Sequence, residues 1–162
     1  MQTQGQAHFE LIFRPNVELV SIVRRFVSDF YHRILGDPDT VSRLALATHE
    51  LLENAVKYST DGVTTLCIIV DRNGGDTGVS IRTSNRANDP NIGRISDFFQ
   101  AMNASPDGFA YYQEVIQRAA REPDGSGLGL ARVRAEGEMT MSLSVQGEMV
   151  SIIAHTNVQG RT

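Results

Sequence analysis

The chain reads as an α+β domain: a two-layer sandwich with helices on one face of a mixed, mostly antiparallel sheet. Three observations carry that expectation. Two long segments with apolar residues at helical spacing, Val17–Leu35 and a following stretch to about Ser59, come first. They are followed by two runs of strand character, Val63–Asp71 and about Gly78–Ser84, joined by glycines. A second pair of runs, Met139–Val145 and Glu148–Ala154, closes the chain across Gln146-Gly147. Helices with one apolar stripe and hairpins with one apolar face bury both by stacking as two layers.

Each element has its own local reason. Phe9, Leu11 and Phe13 alternate with His8 and Glu10, which predicts a short strand covered on one face, ended by Pro15-Asn16. In Val17–Leu35, Val20, Val23, Phe26/Val27, Phe30 and Ile34 form the apolar stripe, with Arg24, Arg25, Asp29 and Arg33 among the polar positions. Gly36 suits a helix C-cap, and Asp37-Pro38 supplies an N-cap followed by a proline in the first turn of the next helix. That helix is expected to bury Val41, Leu44/Ala45, Thr48, Leu51/Leu52 and Ala55, and Asp61-Gly62 turns the chain out of it. Arg72-Asn73-Gly74-Gly75-Asp76 is a hairpin signal. The segment Asn85–Asp124 is less regular, with two helices, Ile92–Ala104 and Phe109–Arg121, broken by Ser105-Pro106-Asp107-Gly108. A further helix is expected from Leu128 to Arg134.

Composition narrows the class. The 162 residues suit one domain, 1–162, large enough to bury a core without disulfides. A hydrophobic share of 41% and a charged share of 21% are those of a water-soluble globular chain. A net charge of -4 with no Lys/Arg cluster argues against nucleic acid as the partner. No apolar run approaches membrane-spanning length and no basic segment opens the chain, so a cytoplasmic protein without a membrane partner is expected. Cys67 stands alone in an apolar run and reads as a small buried hydrophobe rather than a nucleophile or ligand.

Two stretches carry chemistry. On a helix, Glu50, Asn54 and Lys57 fall four and three residues apart and share one face, while Leu51, Leu52, Ala55 and Val56 point to the other. A row of carboxylate, amide and amine can hold a metal-bound phosphate; a solvated face with an ordinary Glu53–Lys57 ion pair is the bland alternative. Far downstream lies Asp124-Gly125-Ser126-Gly127-Leu128-Gly129-Leu130. Glycines running into a helix N-terminus let backbone N–H groups and the helix dipole meet an anion. It is not a Walker loop, because no Gly-Lys-Ser/Thr follows.

Together these stretches resemble the GHKL (Bergerat-fold, histidine kinase-like) ATPase superfamily. Glu50-Leu51-Leu52-Glu53-Asn54-Ala55-Val56-Lys57-Tyr58 is similar to its N-box, and Gly125-Ser126-Gly127-Leu128-Gly129-Leu130 to its second glycine box. Size and single-domain organisation look closest to the anti-sigma-factor serine/threonine kinases. The resemblance implies ATP and Mg²⁺ as ligands, with Glu50 as general base and Asn54 as the Mg²⁺ ligand. Lys57, Asn85 and residues Gly125, Ser126, Gly127, Leu128, Gly129 and Leu130 would complete the nucleotide site. It implies a protein partner, a phosphorylatable antagonist or a sigma factor, and homodimers are common in that branch. Asn85–Asp124 would be the lid.

The sequence departs from the family after Gly78–Ser84. There Ile81-Arg82-Thr83-Ser84-Asn85-Arg86-Ala87-Asn88-Asp89-Pro90 lacks the expected Asp-x-Gly-x-Gly, and Asn85 stands near the position of the adenine-reading Asp. Asp89 is an alternative, with a turn role beside Pro90. Two further functions therefore stay open: a nucleotide-independent interaction module on the same fold, and a detached histidine-kinase catalytic domain. Lys57 either neutralises phosphate or pairs with Glu53, and Tyr58 either covers the nucleotide or packs the helix end. Arg132 and Arg134 either approach phosphate or face solvent. Phe98, Phe99, Phe109, Tyr111 and Tyr112 are expected to dock the lid helices on the core.

Overall fold

A computed structural model describes residues 5–73, 75–121 and 127–159. In chain order they form β1 (Gln6–Phe13), α1 (Val17–Leu35), α2 (Pro38–Tyr58), β2 (Thr64–Asn73), β3 (Asp76–Arg86), α3 (Asp89–Ala104), α4 (Gly108–Arg121), α5 (Leu128–Ala135), β4 (Thr140–Gln146) and β5 (Met149–Gln159). The strands make one five-stranded sheet in the order β1-β2-β3-β5-β4. Every pairing among the described residues is antiparallel, so the sheet is not mixed. No helix among them is long and apolar enough to cross a membrane.

Local chemistry sets the helix ends. The Asn16 carboxamide oxygen accepts from Leu19 N–H at 2.8 Å and opens α1; Gly36, at φ 72°, closes it in the left-handed region that a side chain would resist. Asp37 caps α2 through Thr40, accepting from its N–H at 3.2 Å and its hydroxyl at 2.6 Å. Asn88 caps α3 by accepting from Asn91 N–H at 3.0 Å, so the exposed Asp89 opens a helix that starts before the expected Ile92, in place of the turn expected beside Pro90. Asn73 pairs with Asp76 across the β2–β3 turn, and Gln146 with Met149 across the β4–β5 turn, where Gly147 takes φ 61°.

Strand alternation divides the sheet into two faces. Leu66, Ile68 and Val70 of β2, Val79 and Ile81 of β3, Ile152 and Ala154 of β5 and Met141 of β4 join one core cluster. Val23, Val27 and Tyr31 of α1, Val41, Leu44, Ala47, Leu51 and Leu52 of α2, Phe99 and Met102 of α3, Tyr111 and Val115 of α4 and Leu130 of α5 belong to the same cluster. All five helices thus contribute to one apolar layer, giving the two-layer sandwich. Two details differ from the periodicity. Ala47, not Ala45, is fully buried on α2, and Tyr31 enters the α1 stripe while Phe26 stays half exposed against Phe9. Tyr31 tolerates burial because its hydroxyl meets Thr48 Oγ1 at 2.8 Å, while Thr48 donates to Leu44 O. Burial pushes the Tyr31 phenol well above its ordinary value, with the Thr48 bond a smaller opposing effect.

Candidate functional site

Residues Glu50, Asn54 and Tyr58 follow one another at i, i+4 spacing on α2, the helix that lies across β3 and against α5. This face borders two cavities. One, of about 560 Å³, is lined by Asn54, Tyr58, Asn85, Phe98, Tyr111 and Gly127 among others. The second, of about 710 Å³, includes Glu50, Asn54, Lys57, Gly127, Gly129 and Leu130. Asn54, Tyr58 and Gly127 line both, so the two spaces adjoin along the helix face. Each lies in the size range of small-molecule sites.

The first chamber is the more aromatic. Asn85 is nearly fully buried on the core-facing side of β3, with its amide nitrogen donating to Arg86 O at 3.3 Å. Phe98 of α3 packs on Phe99 and Tyr111, with ring centroids 6.3 Å and 5.9 Å away. Phe99 and Tyr111 are buried and Tyr112 partly so, as expected of rings that dock α3 and α4 on the core; Phe109 is the exception and stays exposed. The Tyr111 hydroxyl is buried and has no hydrogen-bond partner among the described residues. It borders the chamber, where an arriving polar group could satisfy it.

The second chamber is set by glycines. Gly127 takes φ 96° as the residue before α5, and a Cβ there would sit 2.4 Å from the Phe98 ring. A Cβ on Gly129 would sit 2.3 Å from a Glu50 carboxylate oxygen. Only glycine lets the start of α5 lie this close to α2. The first bond within α5 runs from Ala131 N–H to Gly127 O at 3.0 Å, so N–H groups ahead of it have no partner along the helix and favour an anion. The expected contributors Gly125 and Ser126 lie outside the described residues.

Charge around Glu50 is partly met within the protein. Arg132 Nη1 lies 3.6 Å from Glu50, and Arg132 Nε donates to Glu136 at 2.7 Å. Arg134 neither reaches the cavities nor faces away; its guanidinium donates to Met102 O and Ser105 O and ties α5 to the end of α3. Glu53 pairs with His49 Nε2 at 3.2 Å, and the Lys57 ammonium lies 5.3 Å from the Tyr58 ring centre. Val56, expected on the side of α2 away from Glu50 and Asn54, instead lines the second chamber with them.

Several lining residues escaped the sequence. Asn16, Val20, Ser21 and Arg24 of the α1 entry border the second chamber, and Asn91 and Arg94 of α3 and Arg118 of α4 border the first. The helical repeat of α3, Asn91-Arg94/Ile95-Phe98, was the available signal, but it marks a face without saying what the face meets.

No protein-family model matches this sequence, and no curated protein matches it. Among solved structures, a chain of the SiaB-SiaC complex from Pseudomonas aeruginosa is similar in fold. It superposes with a TM-score of 0.67 at 16% identity, covering 93% of this chain and 89% of that one. At that identity the likeness concerns the fold.

Proposed function

We propose that the cleft between α2, β3, α3 and α5 binds ATP with Mg²⁺, and that the protein is a GHKL-type serine/threonine kinase acting on a partner protein. The single observation that supports this most is the meeting of two cavities at Asn54. One is lined by the aromatic rings of Tyr58, Phe98 and Tyr111, with a buried amide from Asn85 at its wall; the other is bordered by Glu50 and the glycine turn into α5. A flat base suits the first, and a polyphosphate the second.

The roles follow from the side chains. Asn85 would read the base through its carboxamide, without the charge of an Asp. The Asn54 oxygen is a hard ligand suited to Mg²⁺, whose contribution would be to neutralise charge on the phosphate oxygens. The N–H groups at the start of α5 would bind phosphate, and Gly129 leaves room for Glu50 beside them. Glu50 would take the proton from a Ser or Thr hydroxyl as its oxygen bonds to the terminal phosphorus and the bond to the leaving diphosphate breaks. Arg132 must then release Glu50 or turn to the phosphates. A partner protein is in keeping with the similar fold solved in a complex.

A second reading is favoured by that same Arg132–Glu50 ion pair, which already satisfies the proposed base. It makes the domain an interaction module that captures a regulatory partner without nucleotide.

Titration calorimetry of ATP with and without Mg²⁺, on wild type and Asn54→Ala, separates the two. Loss of a charge-assisted contact should weaken Mg²⁺-dependent binding by roughly 10–100-fold. Gly129→Ala, which displaces the Glu50 carboxylate, should keep ATP binding and lose phosphate transfer. Absence of heat at millimolar ATP would reject the kinase and favour the module.

A further inference from the structure

The sheet face turned away from the helices carries a second cluster, unconnected with the cleft. Cys67 is buried, yet it does not belong to the apolar cluster between the layers: Leu66 and Ile68 take the helix side of β2 and Cys67 takes the opposite side. Directly across from it in the register stands Glu10 of β1, and His8 lies two residues further along the same face. His8 Nε2 is 3.4 Å from Cys67 Sγ and 3.8 Å from a Glu10 carboxylate oxygen, and ligand atoms of the three lie within 4.8 Å of one another.

We propose that His8, Glu10 and Cys67 form a binding site for a divalent transition metal of the zinc class. The spacing has a coordination reason. With a metal–sulfur bond of about 2.3 Å and a metal–nitrogen bond of about 2.0 Å, a tetrahedral angle separates S and N by about 3.5 Å. The observed separation is 3.4 Å. Bringing the Glu10 oxygen onto the same ion needs only a rotation of a side chain that is 44% exposed. The donor set of one thiolate, one imidazole and one carboxylate suits Zn²⁺ or Co²⁺ and not Mg²⁺ or Ca²⁺, which take oxygen. Thiolate and carboxylate together balance the charge of the ion, beside Arg82, the register partner of Cys67 on β3. Three protein ligands leave a fourth position to water or an incoming group. A His–Glu ion pair alone explains two members of the cluster, but not a thiol facing away from the core beside the ring nitrogen.

The test is a titration of Co²⁺ into chelator-stripped protein, read by its sulfur-to-cobalt charge-transfer absorption and tetrahedral d–d bands. The expected result is saturation at a single ion per chain, displaced by Zn²⁺. Cys67→Ser should abolish the charge-transfer band. His8→Ala, an exposed position where folding is not at stake, should weaken binding beyond the roughly 10–100-fold typical of a residue outside the ligand set. His155→Ala, whose ring meets Ser80 Oγ at 3.0 Å, should leave the titration unchanged. No charge-transfer band at millimolar Co²⁺, a band that survives His8→Ala, or saturation at one ion per two chains would overturn the site.

Discussion

Replacing Gly127 with Ala tests the glycine turn quantitatively, because Gly36 supplies an internal standard. Both glycines lie in the left-handed region, at φ 96° and φ 72°, but a Cβ on Gly36 would meet nothing within 4 Å. Gly36→Ala should therefore cost only the backbone penalty, about 1–2 kcal/mol. At Gly127 the added Cβ would lie 2.4, 2.7 and 3.1 Å from three Phe98 ring atoms. Ordinary contact begins near 3.4 Å, so the ring edge must retreat by at least 1.0 Å (3.4 less 2.4), against Phe99 and Tyr111. Such overpacking costs about 1–3 kcal/mol, bringing Gly127→Ala to about 2–5 kcal/mol. For a chain of this size the melting temperature should fall by at least roughly 4 °C. Urea unfolding of both variants, and of Gly127→Ala in a Phe98→Ala background, resolves the two contributions. Without the ring, the alanine increment should shrink to the Gly36→Ala value. An increment unchanged by removal of Phe98 would refute the packing of α5 on α3.

Two further outcomes follow from particular contacts. Tyr31→Phe removes one buried hydrogen bond but leaves Thr48 donating to Leu44 O, so about 1 kcal/mol, or roughly 2–4 °C, should be lost. Thr48→Val strands the Tyr31 phenol and should cost more; equal melting temperatures would contradict the hydrogen-bond assignment. Asp61, in the turn after α2, accepts from Val63 N–H at 2.9 Å and Ser59 Oγ at 3.2 Å, and Arg86 lies 3.7 Å away. The Val63 bond is the main reason its carboxyl falls below the ordinary 3.8, with Ser59 and Arg86 adding to it. A depressed carboxylate contributes stability above its unfolded pKa and loses it as pH falls through the folded value. The stability gap between wild type and Asp61→Ala should be full at neutral pH and close below pH 3.8; a gap independent of pH would exclude the carboxylate.

Much of the fold was readable because its signals are local. Asn16, Gly36 and Asp37-Pro38 punctuate α1 and α2 through contacts within a few residues, and such contacts need no knowledge of the rest of the chain. The alternation in β1 and the glycine between β4 and β5 act at the same range. So does the i, i+4 spacing that put Glu50 and Asn54 on one face, and both border the cleft. The lengths of β3 and β5 were underestimated, since their ends are held by pairing with each other, from Asp76 with Gln159 to Arg86 with Met149.

The sequence by itself determined the elements, their polar and apolar faces, and the glycines that lead into α5. Only the tertiary structure decided which faces meet. It inserted β5 between β3 and β4, brought Asn85 to the wall of a cavity that Asn54 also lines, set Arg132 against Glu50, sent Arg134 to the end of α3 and turned Cys67 toward His8 and Glu10. The physical reason is range. Propensity, capping and periodicity act over a single turn or pleat, whereas these juxtapositions join residues far apart in the chain and arise when one apolar layer is packed as a whole.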